Sequence, residues 1–165
     1  MKKSFLFKSL VDILFYLHVI GLFGMLIIIP FGILNIHQVD MKVDDWTLLT
    51  VVIAIVSLTI YVIFLRGLYY LRKVAIFLLL NKYFSEQIIR NLIKSGMHFL
   101  CTGILSFLLM ISLWIAKLYN GKLELTYDLN FMIPLFLMII GLFFMIQSRT
   151  LVLAKNFKEE NELTV

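Results

Sequence analysis

The sequence predicts an all-α membrane protein, a four-transmembrane-helix bundle with both termini inside, and three observations carry that prediction. Four long apolar blocks, at about 13–34, 46–65, 97–116 and 131–148, each approach the ~20 residues that a helix rising ~1.5 Å per residue needs to cross a hydrocarbon core. Hydrophobic residues make up 62% of the chain and charged residues 15%, with a mean hydropathy of +1.00. Soluble domains hold roughly 45–50% and 25% of these classes, so a water-soluble core could not absorb this much apolar surface. The third observation is where the charges fall. Lysine and arginine number 12 in the N-terminal, middle and C-terminal segments against 3 in the other two connections, and the side rich in them stays cytoplasmic.

The chain of 165 residues spends about half its length inside lipid. Too little remains for a separate soluble domain, which rarely falls below ~50 residues, so residues 1–165 are expected to form one unit. Met1-Lys2-Lys3 resembles the start of a signal peptide. The apolar run from Ile13 to Leu34 is longer than the roughly 7–15 residues of a signal core and no Ala-x-Ala site follows, so it is read as a retained span. Pro30, well inside that span, is expected to bend it. Asp44 or Asp45 caps the second span and Trp46 opens it at the outer interface. Trp114 and Tyr119 close the third span there, and Tyr69, Tyr70 and Tyr83 mark the inner interface.

The middle connection, 66–95, is long for so small a bundle, and it is not polar coil. Leu68, Leu71, Ala75 and Leu78 recur at helical spacing, and Ile88, Ile89, Leu92, Ile93 and Gly96 form one face of a second stretch. Ser85 is a good N-cap for that stretch, with Glu86 beside the positive end of the helix dipole. Spans two and three therefore extend inward as helices. They either project as a hairpin broken near Asn81–Ser85 or bend and lie along the lipid headgroups, where their basic residues attract anionic lipid. Asn120-Gly121 stops the third helix, the alternation across 121–130 suggests a short extended segment, and Pro134 falls in the first turn of the fourth span. A cytoplasmic tail, 152–165, follows.

Chemistry is sparse. One cysteine, Cys101, excludes an internal disulfide, and no nucleotide loop, serine-nucleophile motif or paired-carboxylate site occurs, so no enzymatic activity and no cofactor are expected. His18 and His98 sit on different spans, as haem ligands do, but at different depths; a ring hydrogen-bonded to a neighbouring helix accounts for each. His37, Asp40, Asp44 and Asp45 form no recognised metal spacing. Charge at the bilayer centre, the usual mark of a pump or ion pathway, is missing. Asp12 and Arg149 lie close enough to the inner interface to reach water, and a pair between them would tie span one to span four. Gly21, Gly24, Gly103, Ser106 and Gly141 are expected to let helices approach closely.

Two segments carry a family resemblance. Phe84-Ser85-Glu86-Gln87-Ile88-Ile89-Arg90-Asn91-Leu92-Ile93-Lys94-Ser95-Gly96 resembles the entry to the third span in the bacterial membrane proteins grouped as domain of unknown function 2975. The tail from Ala154 to Val165, rich in glutamate and closed by Leu163-Thr164-Val165, resembles that family's ending, with Ala154 where its pattern implies glycine. The resemblance implies a multi-pass protein of the bacterial cytoplasmic membrane, often encoded beside a small helix-turn-helix regulator, and hence a protein that binds such a partner. The acidic and apolar tail residues Glu159, Glu160, Glu162, Leu163 and Val165 offer it a docking surface. The expected partners are thus the lipid bilayer and that regulator, with no direct contact to nucleic acid; a second copy of the chain is a further candidate. The rival expectation is a small transporter, exporter subunit or immunity-type protein that handles an apolar or peptide ligand in a cavity near Pro30 and His18.

Overall fold

A computed structural model describes residues 2–28, 48–119 and 131–163. The expectations placed on Pro30, on His37 with Asp40, Asp44 and Asp45, on Trp46, on the 120–130 segment and on Val165 lie outside those residues. The described chain forms four helices, α1 (Lys2–Ile28), α2 (Leu48–Leu79), α3 (Glu86–Tyr119) and α4 (Met132–Leu163), and no strand. All four are long and apolar enough to cross a membrane. Fewer than a quarter of the residues in each apolar stretch are buried, and Ile13, Leu17, Ile20, Ile55, Phe136 and Ile139 stand largely exposed. In water so large an apolar surface would drive aggregation; lipid covers it at no cost.

Each helix runs antiparallel to the next. α3 is central, packing along both α2 and α4, while α1 lies on α2. The four meet in one cluster, where Val11, Leu68, Leu71 and Phe99 are buried and Phe15, Phe64, Leu137, Ile140 and Phe144 close around them. Ser95, with no exposed surface, donates from its hydroxyl to the Gly67 carbonyl at 2.9 Å and so pins α3 to α2. Between α3 and α4 the contact is made by backbone. A Cβ added to Gly96 would lie 2.6 Å from the Gly141 carbonyl oxygen, and one on Gly141 2.6 Å from the Leu100 nitrogen. Gly103 meets the carbonyl of Pro134 in the same way, at 2.7 Å. The expected close approach at Gly103 and Gly141 is therefore found, but among the described residues nothing lies within 4 Å of a would-be Cβ on Gly24.

At 32 to 34 residues, α2, α3 and α4 exceed what a crossing requires. Their excess converges at one end and packs there on a core of its own, in which Val74, Ile88 and Leu92 are buried under Phe77, Leu78, Phe144 and Leu151. The α2–α3 hairpin breaks where the sequence indicates. Asn81 adopts φ 57°, a left-handed conformation that asparagine tolerates, and the amides of Asn81 and Lys82 return to the carbonyls of Leu78 and Phe77 at 3.2 and 3.1 Å, a Schellman ending. Ser85 then caps α3, its Oγ 3.4 Å from the Ile88 amide. The connection is thus a packed hairpin continuous with α2 and α3 rather than a segment bent away from them.

Gly141→Ala should force α3 and α4 apart and lower stability by about 1–3 kcal/mol. Gly24→Ala should be neutral or stabilising, since alanine favours helix by about 1 kcal/mol. Thermal unfolding of the two variants in one detergent checks both; equal effects would sink the assignment of α3–α4 as the tight contact.

Candidate functional site

Polar side chains gather at the end of the molecule that holds the hairpin, the start of α1 and the end of α4. The most connected group joins α1 to α2. Asp12, in the first half of α1, accepts from Lys8 Nζ through Oδ2 and from Arg72 Nε through Oδ1, both at 2.7 Å. Arg72 also donates from Nη2 to the Tyr16 hydroxyl at 2.8 Å, and its guanidinium carbon lies 4.9 Å from the Tyr16 ring centre and 5.5 Å from that of Phe15. Two cations from different helices thus share one carboxylate, which suits a clamp between α1 and α2.

This corrects the pairing expected from depth. Asp12 pairs with Arg72, not Arg149, because α1 packs mainly along α2. Arg149 instead borders a groove of about 320 Å³ between α3 and α4, beside Ile93, Leu142 and Met145. Arg72 and Tyr16 are the residues the sequence reading left unassigned. The available signal was that Arg72 lies past the end of span two much as Asp12 lies ahead of span one, but Arg149 is placed equally well beside span four.

The histidines also differ from expectation. His18 Nδ1 lies 2.7 Å from the Leu14 carbonyl and His98 Nδ1 2.6 Å from that of Lys94, so each ring bonds to its own helix. A carbonyl only accepts, which places the proton on Nδ1 in both. The neighbouring helix contributes rings instead: Phe64 and Tyr61 against His18, with the Tyr61 hydroxyl donating to the His18 carbonyl at 2.9 Å, and Tyr70 against His98. A groove of about 460 Å³ runs along α1 past Phe5, Asp12 and Ile20, but His18 does not line it.

The third group sits at the hairpin. Lys155 bridges Glu86 at 3.3 Å and Glu159 at 3.5 Å, tying the end of α4 to the first turn of α3, and Lys158 pairs with Glu162 at 3.5 Å. Glu86 and Glu159 hold the Lys155 ammonium above its ordinary pKa, the Glu86 hydrogen bond being the larger influence. The tail continues α4 as one helix and is open around its circumference: Phe157 is 63% and Leu163 85% exposed, and Glu159, Glu160 and Glu162 are exposed as well.

The profile of the family described as "Protein of unknown function (DUF2975)" matches residues 16–165. The chain belongs to that family. No curated protein and no solved structure matches it. The match takes in α2, α3, α4 and the second half of α1, starting at Tyr16, so Lys8 and Asp12 lie ahead of it while Arg72, which binds Asp12, and Tyr16, which binds Arg72, lie within. Both segments that carry the resemblance, the entry to α3 and the glutamate-rich end of α4, fall inside, and in the fold they touch through Glu86 and Lys155.

In a double-mutant cycle, Asp12→Asn and Arg72→Gln should each lower stability by about 1–2 kcal/mol, with a coupling of about 1 kcal/mol between them. Arg149→Gln should show none with Asp12→Asn. Unfolding in detergent at neutral pH measures all three, and coupling to Arg149 would reverse the assignment.

Proposed function

We propose that this family member is a non-enzymatic scaffold or sensor of the bacterial cytoplasmic membrane that captures a small cytoplasmic helix-turn-helix regulator on the end of α4. The observation that supports the reading is the exposure of that helix end, where Leu163, 85% exposed, follows Glu159 by one turn and adjoins Glu162 in sequence. Exposed large apolar residues among carboxylates, on a helix braced by Lys155–Glu86 and by Leu151 in the hairpin core, make a rigid surface for a basic partner. Carboxylates steer a basic protein to the site, and the apolar residues supply the contact once it arrives. Docking leaves the regulator's DNA-binding helix sequestered at the membrane or presented from it, according to the state of the spans.

The reading requires both termini inside. Fusions of a reporter active only in the cytoplasm should be active at either end of the chain, and activity of an outside-only reporter at the C-terminus would overturn the orientation. A photo-crosslinker placed at Phe157 in the full-length protein in cells should capture a small basic helix-turn-helix protein. Reversal of Glu159 and Glu162 to lysine should reduce that capture about tenfold or more. Absence of any such protein among the adducts, with an apolar or peptide ligand found in the membrane region instead, would favour a transport or immunity role.

A further inference from the structure

The outward face of the α2–α3 pair changes character along its length. On α2, Val62, Arg66, Tyr70 and Lys73 follow at three- and four-residue spacing and share one stripe, with Val62 and Arg66 exposed and Lys73 half-buried. On α3 a second stripe runs from exposed Leu105 through His98 to exposed Lys94. The two stripes lie side by side. The Tyr70 and His98 rings are 5.3 Å apart, and the Lys94 ammonium is 5.3 Å from the centre of the same tyrosine ring. Lys73 reaches that ring at 6.0 Å and the Tyr69 ring at 4.5 Å.

Two ammonium groups therefore lie within 6.0 Å of the centre of one tyrosine ring, with Arg66 a turn or two nearer the apolar half of the face. Like charges held together repel, and an anion between them removes the repulsion. No carboxylate pairs with Arg66, Lys73 or Lys94 among the described residues, whereas Lys8, Arg72, Arg90, Lys155 and Lys158 each have one. The missing anion must also suit a surface that is apolar on one side of the cations. A soluble phosphate would use the cations alone, but a phospholipid uses both parts. We propose that this face binds one anionic phospholipid, its phosphate between Lys73 and Lys94 with Arg66 and Tyr70 alongside, and its acyl chains laid over Val62 and Leu105.

The test is native mass spectrometry of the full-length protein in dodecyl maltoside, titrated with phosphatidylglycerol or with phosphatidylcholine. One phosphatidylglycerol per chain should be retained, at least about tenfold more tightly than phosphatidylcholine. Each cation near an anionic lipid surface is worth about fivefold in affinity. The double variant Lys73→Gln/Lys94→Gln should therefore bind about twentyfold more weakly, while Lys73→Arg/Lys94→Arg should keep the lipid. Lys82→Gln/Lys158→Gln removes the same charge elsewhere and should change retention less than about twofold. Where the double glutamine variant loses its helical circular dichroism, Arg66→Gln serves in its place, with a loss of about fivefold. Equal retention of the two lipids, equal losses from the two glutamine pairs, or displacement of the lipid by millimolar inorganic phosphate would each overturn the proposal.

Discussion

In hydrocarbon, water no longer drives apolar side chains together, so helices stay associated only where their backbones come close enough for dispersion and polar contacts to accumulate. α3 meets that condition through glycine. Gly96 and Gly141 leave no room for a side chain between α3 and α4, Gly103 does the same against Pro134, and Gly67 lets Phe99 seat on α2. The rest of the arrangement follows from a central helix flanked this tightly on two sides. The hairpin core around Val74 and Ile88 is aligned by it, and the α4 extension is carried to Glu86 by the same register.

α1 is held differently. It lacks a glycine contact of that closeness with backbone and is attached instead by the Asp12–Arg72 pair, the Tyr61 hydroxyl on the His18 carbonyl, and packing of Val11 and Phe15. Directional contacts of this kind fix a register while burying little surface, so α1 keeps most of its perimeter for lipid. The same end of the molecule thus has two modes of charge use. Around Asp12 two cations share a carboxylate supplied by the protein, while around Tyr70 no carboxylate among the described residues pairs with them. That contrast separates a structural clamp from a surface that faces outward to a ligand.

Much of this was legible before any coordinates. Ser85 as a cap, the break at Asn81 and the continuation of spans two and three as helices all rest on local signals, and local signals survive folding. The acidic tail was visible for the same reason. The Asp12 partner was not, because depth from charge placement is a one-dimensional quantity: it lines up Arg72 and Arg149 equally and cannot say which helix stands beside α1. Gly24 was misassigned for a related reason, since a small residue permits close approach without supplying a neighbour to approach.

Sequence alone determined the four apolar helices of the described residues and the family, because hydrophobic length acts within single segments, but it placed the start of the first near Ile13 where α1 begins at Lys2. Tertiary structure alone decided which helices touch, and with that the identity of the ion pair, the own-helix bonding of both histidines and the meeting of Lys73 and Lys94 on one ring. The physical reason is that helix-to-helix choice in lipid depends on the fit of whole surfaces, where a single glycine carbonyl 2.6 Å from a would-be Cβ outweighs any hydropathy average. A stripe of residues becomes a site only when a second stripe is set beside it.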